Sequence, residues 1–548
     1  MATKVYFNGA SRVLPGAYST ITSGEQNAPA ALDYGKVLII DTGLGAEWGG
    51  GAGINGELAS GKDAIYQFDN ISDYKEFLAG GMFWKLSEPL FFPLDGADGV
   101  STIYHVKAAT TTAATLSFVA TGGGSNGGTF KLKIKDEGVS ANGVVTDDHL
   151  DKGYAYTIET GVIDTSKWIF KVWKGSWRGD YTDGLSYSEI DKADSAPTLV
   201  IQSDEFDNIQ DLIDWAENTT SFGDYFELDS SSAVSGTGEV TSSDISSISG
   251  YVVASGGTET YSTTDLDDIL DAVVDLDYQF VLCDKYGPDN YDNAFVTKIF
   301  SHIKDAETEF IKTMFIGGGA DEDEFSSEDG SLDIAAYFNS PRAVVVHSNA
   351  KTTTQELSSG FRVWPSIYSA AVVLGRVCGL VPQIPVTNKR VAVDGLSHVM
   401  LKKDQKRALN GGITCIIPDQ YNGGFKVLQG VNTLQKNTNL FDNSGQSFSI
   451  QFERIVAQIN RELVINSETE LLNDENGVNA NTLSAGILKT WTETYLQSRV
   501  ATDVADNLLL SFKNVTVTRV DDYYKVTYGI VVNNEITKIF YTGYLFKS

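Results

Sequence analysis

The sequence predicts a multidomain α/β (α+β) protein carrying an inserted β-rich region. Three observations lead there. Strand-length apolar runs alternate with amphipathic helical stretches in two separate parts of the chain, a Thr/Gly-punctuated stretch of short strands lies between those parts, and 548 residues amount to several domains.

In chain order, residues 1–25 read as an extended arm. Lys4-Val-Tyr-Phe7 is β-like, Pro15 and Gly16 deny helix, and Val5, Phe7, Val13, Tyr18 and Ile21 suit pairing with a sheet edge. The buried-strand run Val37-Leu-Ile-Ile-Asp41 opens the first α/β part, residues 26–106, which continues through an amphipathic stretch near 74–78 and a strand near 100–106. Residues 107–260 form the β-rich insertion. It has alternating runs at 115–119, 129–134 and 168–173, a helix at about 207–217, and from 229 to 264 a Ser/Gly/Thr-rich stretch of loop or weak hairpin. The second α/β part spans 261–340. There Leu266, Ile269, Leu270 and Val273 share a helical face behind Thr263 or Thr264 as caps, 278–283 is a strand, Phe295, Ile299 and Ile303 mark a helix, and 310–316 is a strand.

Residues 341–534 begin with a strand at 343–346 and a helix at about 365–380. A basic helix over 397–409 ends at Asn410-Gly411-Gly412, and the strand Ile413-Thr-Cys-Ile-Ile417 stops at Pro418. A long helix carries an apolar stripe of Phe452, Ile455, Val456, Ile459 and Leu463, with Glu453, Arg454, Arg461 and Glu462 off the stripe. Another holds Leu483, Ile487, Leu488, Trp491 and Tyr495. Strands at 508–520, 523–532 and 536–546 follow, joined by two-residue turns at Asp521-Asp522 and Asn533-Asn534. The last strand, within the terminal segment 535–548, is apolar on both faces: Ile539, Tyr541 and Leu545 on one, Phe540, Tyr544 and Phe546 on the other. Such a strand belongs inside a sheet layer, and if no strand of its own chain flanks it, another copy must.

Asp plus Glu (72) exceeds Lys plus Arg (41), a net charge of −31 that argues against a nucleic-acid ligand. The excess is uneven. Residues 341–548 hold 21 basic and 17 acidic side chains (net +4), whereas residues 1–340 hold 20 and 55 (net −35). No apolar run reaches the length of a membrane span, so membrane insertion is not expected. The first residues lack a signal-like apolar run, and Cys283, Cys378 and Cys415 are too dispersed for a metal site, as expected of buried, reduced thiols.

Three enzyme-like patterns fail on context. Gly51-Ala-Gly53-Ile-Asn-Gly56 does not leave a strand directly, as a dinucleotide loop must. Gly56-Glu-Leu-Ala-Ser-Gly61-Lys62-Asp63 puts a carboxylate where a phosphate loop needs Ser or Thr. Gly123-Gly-Ser125-Asn-Gly127 joins two strands rather than a strand and a helix. His105, His149, His302, His347 and His398 show no metal-binding spacing, and His347 reads as a satisfied interior residue. The acidic loop 321–329 lacks the calcium-loop pattern. Neither an enzyme nor a cofactor is expected.

Several segments share an order with a known family. These are Leu14-Pro-Gly-Ala-Tyr18, Val381-Pro-Gln-Ile-Pro-Val-Thr-Asn388 after the buried helix, Leu409-Asn-Gly-Gly-Ile413 with Gly430-Val-Asn-Thr-Leu434, and the long helix 452–463. In that order they resemble the tail sheath proteins of contractile-tailed bacteriophages and related contractile injection machines. The resemblance covers 1–25 and about 260–548, not the β-rich insertion. It implies a C-terminal α/β sheath core with exchanged terminal strands, in a protein that assembles with itself in stacked six-membered rings around a tail tube. The rings would lie between baseplate and tail terminator proteins in a virion tail put together in the host cytoplasm, and would shorten to drive the tube through the cell envelope. It also implies that residues 341–534 form the inner layer, making Lys402, Lys403, Lys406 and Arg407 tube-contact candidates. A bacterial contractile injection system is the alternative of the same kind. A surface-layer or glycan-binding β protein is the alternative of another, resting on the Thr/Ser/Gly-rich insertion.

Overall fold

The computed structural model describes residues 5–7, 10–12, 34–41, 65–78, 81–120, 128–134, 153–175, 197–234, 238–246, 248, 250–261, 263–274, 276–283, 294–305, 311–353, 361–434, 448–472, 484–500, 508–520 and 523–533. Val5–Phe7 (β1) and Ala10–Arg12 (β2) pair as an antiparallel hairpin. Lys36–Asp41 (β3), Ile65–Phe68 (β4) and Thr102–Lys107 (β5) follow, with helices Ile71–Phe77 (α1) and Gly81–Phe91 (α2) between the last two. The β-rich part holds Thr115–Ala120 (β6), Gly128–Ile134 (β7), Gly153–Thr160 (β8), Trp168–Gly175 (β9), Thr198–Gln202 (β10) and helix Ile209–Asn218 (α3).

The chain then alternates. Thr263–Ala272 (α4), Phe280–Cys283 (β11), Ala294–Asp305 (α5), Thr313–Gly317 (β12), Ser331–Phe338 (α6), Ala343–His347 (β13) and Ser366–Cys378 (α7) succeed one another. Next come Arg390–Val391 (β14), Lys402–Asn410 (α8), Ile413–Pro418 (β15) and Phe425–Val427 (β16). Ile450–Ser467 (α9), Ala485–Arg499 (α10) and the hairpin Leu509–Val520 (β17) with Tyr523–Val532 (β18) close the described chain.

Nine strands form one sheet in the order β14-β16-β15-β13-β12-β11-β3-β5-β4. The strands from β15 to β5 run parallel, and β4, β16 and β14 pair antiparallel at the two margins. Parallel strands covered on both faces are apolar throughout rather than alternating. Every residue of β13 is buried, as is all of β3 beyond Lys36. Successive side chains point to opposite faces, so Val37 and Ile39 join the core under α2 and α7 while Leu38 and Ile40 join the core under α4, α5 and α6.

Between β5 and β11 the chain builds a third, separate core around Phe118, Phe130, Tyr156, Phe170, Phe206 and Leu212. Its strands lie in small antiparallel sheets, and β7 alternates buried and half-buried residues along its whole length, as a sheet with one covered face must. Asn208 caps α3 by accepting from the Asp211 amide. A fourth core joins Ile455 and Ile459 of α9, Tyr495 and Leu496 of α10, and Leu509, Val515 and Val532 of the hairpin.

Three expectations need adjusting. The helix expected behind Thr263 or Thr264 starts at Thr263, so both lie within its first turn. The basic helix begins at Lys402 rather than 397, because the preceding strap is tied elsewhere: Ser397 accepts from the Asn349 amide and the His398 amide donates to Ser348 Oγ. The four charged residues off the α9 stripe are buried, each 9% exposed or less. The two-residue turn at Asp521-Asp522 agrees with the pairing of Val520 and Tyr523, whereas strand 536–546 lies outside the described residues.

Helices α7 and α2 touch backbone to backbone at Gly375, where a Cβ would sit 2.1 Å from the Pro89 carbonyl oxygen. Gly375→Ala should destabilise the protein by about 1–3 kcal/mol, read as a lower unfolding midpoint in denaturant; an unchanged midpoint would contradict this close approach.

Candidate functional site

The enzyme-like glycine patterns are not in the described part of the chain, but β6 and β7, which flank residues 121–127, are paired antiparallel as a hairpin requires. Among the described residues no group of three or more His, Cys, Asp or Glu side chains is arranged to hold a metal ion, and no helix is long and apolar enough to cross a membrane. The three cysteines are buried and form no disulfide.

Two histidine clusters appear that sequence spacing did not reveal. Tyr74 Oη lies 2.9 Å from His105 Nδ1, and His105 Nε2 lies 3.5 Å from Asp41 Oδ2. All three side chains are sealed from solvent, and burial, with the Asp41 charge adding to it, pushes the Tyr74 phenol well up. A relay with no opening offers a substrate no access. His347 ends β13 as a satisfied interior residue, its Nδ1 2.7 Å from Ser331 Oγ and its Nε2 2.9 Å from His398 Nδ1. Burial, and next His398, bring its imidazole down to about 3.

The largest polar constellation is the buried face of α9. This helix meets the main sheet at the starts of the parallel strands, because its partners precede them. Arg342, just before β13, donates to Glu453 at 2.9 Å, and Arg461 forms a two-point pair with Asp277, just before β11, its Nε at 2.7 Å. Lys36, the first residue of β3, reaches the same Asp277 at 3.0 Å. Arg454 donates to the Leu380 carbonyl and Gln451 to the Gln383 carbonyl, both just after α7. Behind them Glu462 takes hydrogen bonds from Gln458 and Tyr495 and pairs with Arg499 at 2.8 Å.

Such pairs add little net stability, yet removing one partner of a buried pair costs about 3–5 kcal/mol. They therefore fix orientation more than they contribute energy. Burial pulls the Arg454 guanidinium down to about 10. For Asp277 burial works against ionisation, but the hydrogen bonds and charges of Arg461 and Lys36 outweigh it and hold the carboxyl below its ordinary value. Sequence periodicity found the helix and its two faces. What it missed is that the charged face has fixed partners, since Asp277 and Arg342 lie more than a hundred residues away.

On α8, Lys402, Lys403 and Lys406 are exposed and form no ion pair among the described residues. Arg407 differs: it pairs with Asp404 at 3.6 Å and stacks over the Phe325 ring. Leu401 and Val399, just before the helix, are 67% and 52% exposed. Of the arm candidates, Val5 and Phe7 lie in β1, paired within its own hairpin with Arg12 and Ala10. Val13, Tyr18, Ile21, Ile539, Phe540, Tyr541, Tyr544 and Phe546 lie outside the described residues.

No family model matches the chain. The tail sheath protein of Bacillus phage SP01 is 22% identical over 487 residues, covering 78% of this chain and 79% of that protein. This chain resembles tail sheath proteins. The crystal structure of the sheath tail protein from Desulfitobacterium hafniense aligns with 94% of this chain and 100% of that one at 14% identity and a TM-score of 0.50, a likeness of fold. The helical sheath of the anti-feeding prophage, seen in its contracted state, aligns with 53% of this chain and 78% of that one at 15% identity and a TM-score of 0.36.

The sheath-like motifs of the sequence meet in space. A Cβ on Gly412, whose φ is +79°, would lie 2.8 Å from the Asn432 carbonyl oxygen and from Thr433 Cα. Thr414 Oγ1 accepts from the Val431 amide and donates to the Val431 carbonyl, and the Thr433 amide donates to Ala343. The glycine pair and the Val431-Asn-Thr loop thus form one joint, and each explains the other.

Since the folded pKa of Asp277 is depressed, its contribution is complete above its ordinary value of about 3.9 and is lost as pH falls through the lower folded value. Asp277→Asn should flatten the acid limb of the stability profile below about pH 4, measured by urea unfolding across pH; profiles that run parallel would count against this pair.

Proposed function

We propose that this chain is the structural subunit of a contractile tail sheath. Copies polymerise as stacked six-membered rings around a tail tube, between baseplate and tail terminator proteins, and shorten together to drive the tube through a host cell envelope. The observation that carries the reading is the similarity to a tail sheath protein along 487 residues, supported by a fold likeness spanning 94% of the chain. The task is mechanical, and its site is a set of surfaces on a virion tail rather than a pocket with a cofactor.

In this reading residues 1–25 and 535–548 are arms exchanged between neighbours, 26–106 and 261–340 the two parts of a middle domain, 107–260 an inserted outer β-rich domain, and 341–534 the inner layer. Two features support the exchange. The hairpins β1–β2 and β17–β18 each form a two-stranded sheet with no further strand beside it among the described residues, and an open edge accepts a strand from another chain. An added strand making six or so backbone hydrogen bonds, about 1 kcal/mol net each, would hold neighbours together through a rearrangement. Val5, Phe7, Val13, Tyr18 and Ile21 would serve the first arm and Ile539, Phe540, Tyr541, Tyr544 and Phe546 the second. Lys402, Lys403 and Lys406 would face the tube, with Arg407 bracing the helix that presents them.

Negative-stain microscopy of the purified protein should show long striated cylinders, and a protein that stays monomeric at every concentration would end the sheath reading. Removal of residues 1–21 should abolish cylinders while leaving folded monomer, so normal cylinders from that deletion would remove the arm's role. Lys402→Glu with Lys406→Glu should block co-assembly with the tube protein; unimpaired co-assembly would clear α8 of tube contact.

A further inference from the structure

The hairpin joining β15 to β16 ends in a tip more rigid than a surface loop needs to be. Asp419 organises it: its amide donates to the Gly424 carbonyl at 2.8 Å, its carbonyl accepts from the Gly423 amide at 2.9 Å, and its carboxylate takes the Tyr421 amide and the Asn422 side chain. Gly423 and Gly424 have φ of +71° and +72°, which glycine alone adopts without strain. This frame holds Tyr421 with 92% of its surface in solvent. Arg390 of β14 stands opposite Lys426 in register, and a Cβ on Gly424 would lie 3.2 Å from its guanidinium; Lys426 pairs with Asp419, whereas exposed Arg390 has no ion-pair partner among the described residues.

A groove of about 840 Å³ lies at the diagonally opposite corner of the sheet. Its walls follow β4, precede β5 and follow α7, which puts it at the starts of the parallel strands; the Tyr421 tip follows the end of β15, five strands across. The groove offers Asp69 and Asp98 as carboxylates, with Ile71, Phe92 and Val381 as apolar surface, Phe92 being 59% exposed. Asp98 is exposed and has no ion-pair partner among the described residues.

We infer that the Tyr421 tip of one copy seats in the Asp69/Asp98/Phe92 groove of the next. The proposal rests on the sheath reading, and three things select a second copy as the occupant. The charges are complementary, cationic around the tip and anionic around the groove, matching the opposite balances of residues 341–548 and 1–340. A rigid, exposed tyrosine next to an arginine is the composition of an interface anchor, because it brings contact area at little cost in conformational freedom. The groove's volume falls in the range of about 300–1,000 Å³ that specific pockets occupy. Knob and groove occupy different surfaces of one molecule, so the contact is head-to-tail and propagates into a ring or helix instead of closing as a dimer.

The direct test pairs Gln420→Cys, exposed beside Tyr421 on the tip, with Ser72→Cys, exposed on the groove wall, so that the tyrosine itself is kept. Under mild oxidation of assembled protein the double variant should give a ladder of covalent oligomers on non-reducing gels, and each single variant should give none beyond dimer. Tyr421→Ala should melt like the parent and raise the concentration needed for assembly on the order of tenfold or more. Cylinders that form without the ladder, a double variant that stops at dimer, or Tyr421→Ala assembling as the parent does would each overturn the knob-and-groove contact while leaving the sheath reading in place. Absence of cylinders from the parent protein would instead overturn that reading.

Discussion

A parallel sheet has to be roofed on both faces, and the rest of this molecule is arranged around that requirement. Because β3 sends Val37 and Ile39 one way and Leu38 and Ile40 the other, two helical layers are obligatory: α2 and α7 above, α4 to α6 below. With both faces committed, the ends of the strands and the margins of the sheet are what remain for other work. The β-rich part leaves from the end of β5 and returns through α4 without disturbing either layer, and α9 docks at the strand starts through Ile450 at its first turn and, beyond it, through charged pairs.

Helix α9 therefore serves two environments. Its apolar stripe, with Ile455 and Ile459, belongs to the core it shares with α10 and the β17–β18 hairpin, while Glu453, Arg454, Arg461 and Glu462 face fixed polar partners. Hydrocarbon contact is non-directional; paired guanidinium and carboxylate groups specify angle and register. A joint of the second kind sets the orientation of the terminal unit on the sheet as well as holding it there. The sheath-like glycine pair and Val431-Asn-Thr loop lock together nearby, the Thr433 amide donating to the Ala343 carbonyl at the start of β13.

Much of the fold was legible because it follows from local rules. The buried runs of β3 and β13, the stripe of α9 and the antiparallel pairing of β17 with β18 all announce themselves in residue pattern. The start of α8 did not, since the strap before it is held by Ser348 and Asn349, some fifty residues away. Nor did the partners of the charged α9 face, the His347–His398 contact or the projection of Tyr421, for these depend on which distant segments the sheet order brings together. On α8 the resemblance names all four basic residues; what the sequence does not separate is Arg407, engaged by Asp404 and Phe325, from Lys402, Lys403 and Lys406, which form no ion pair among the described residues.

The His347–His398 contact imposes a direction on its protons. Ser331 Oγ already accepts from the Gly319 amide, so the arrangement that uses every group has the hydroxyl donating to His347 Nδ1 and His347 Nε2–H donating to His398 Nδ1. Both rings are then fixed as single tautomers in a one-way ladder that runs from main chain to strap. Burial, with His398 beside it, keeps the His347 ring neutral across the range in which histidines ordinarily gain charge, so this end of β13 is tied to the strap by hydrogen bonds that need no charge on that ring.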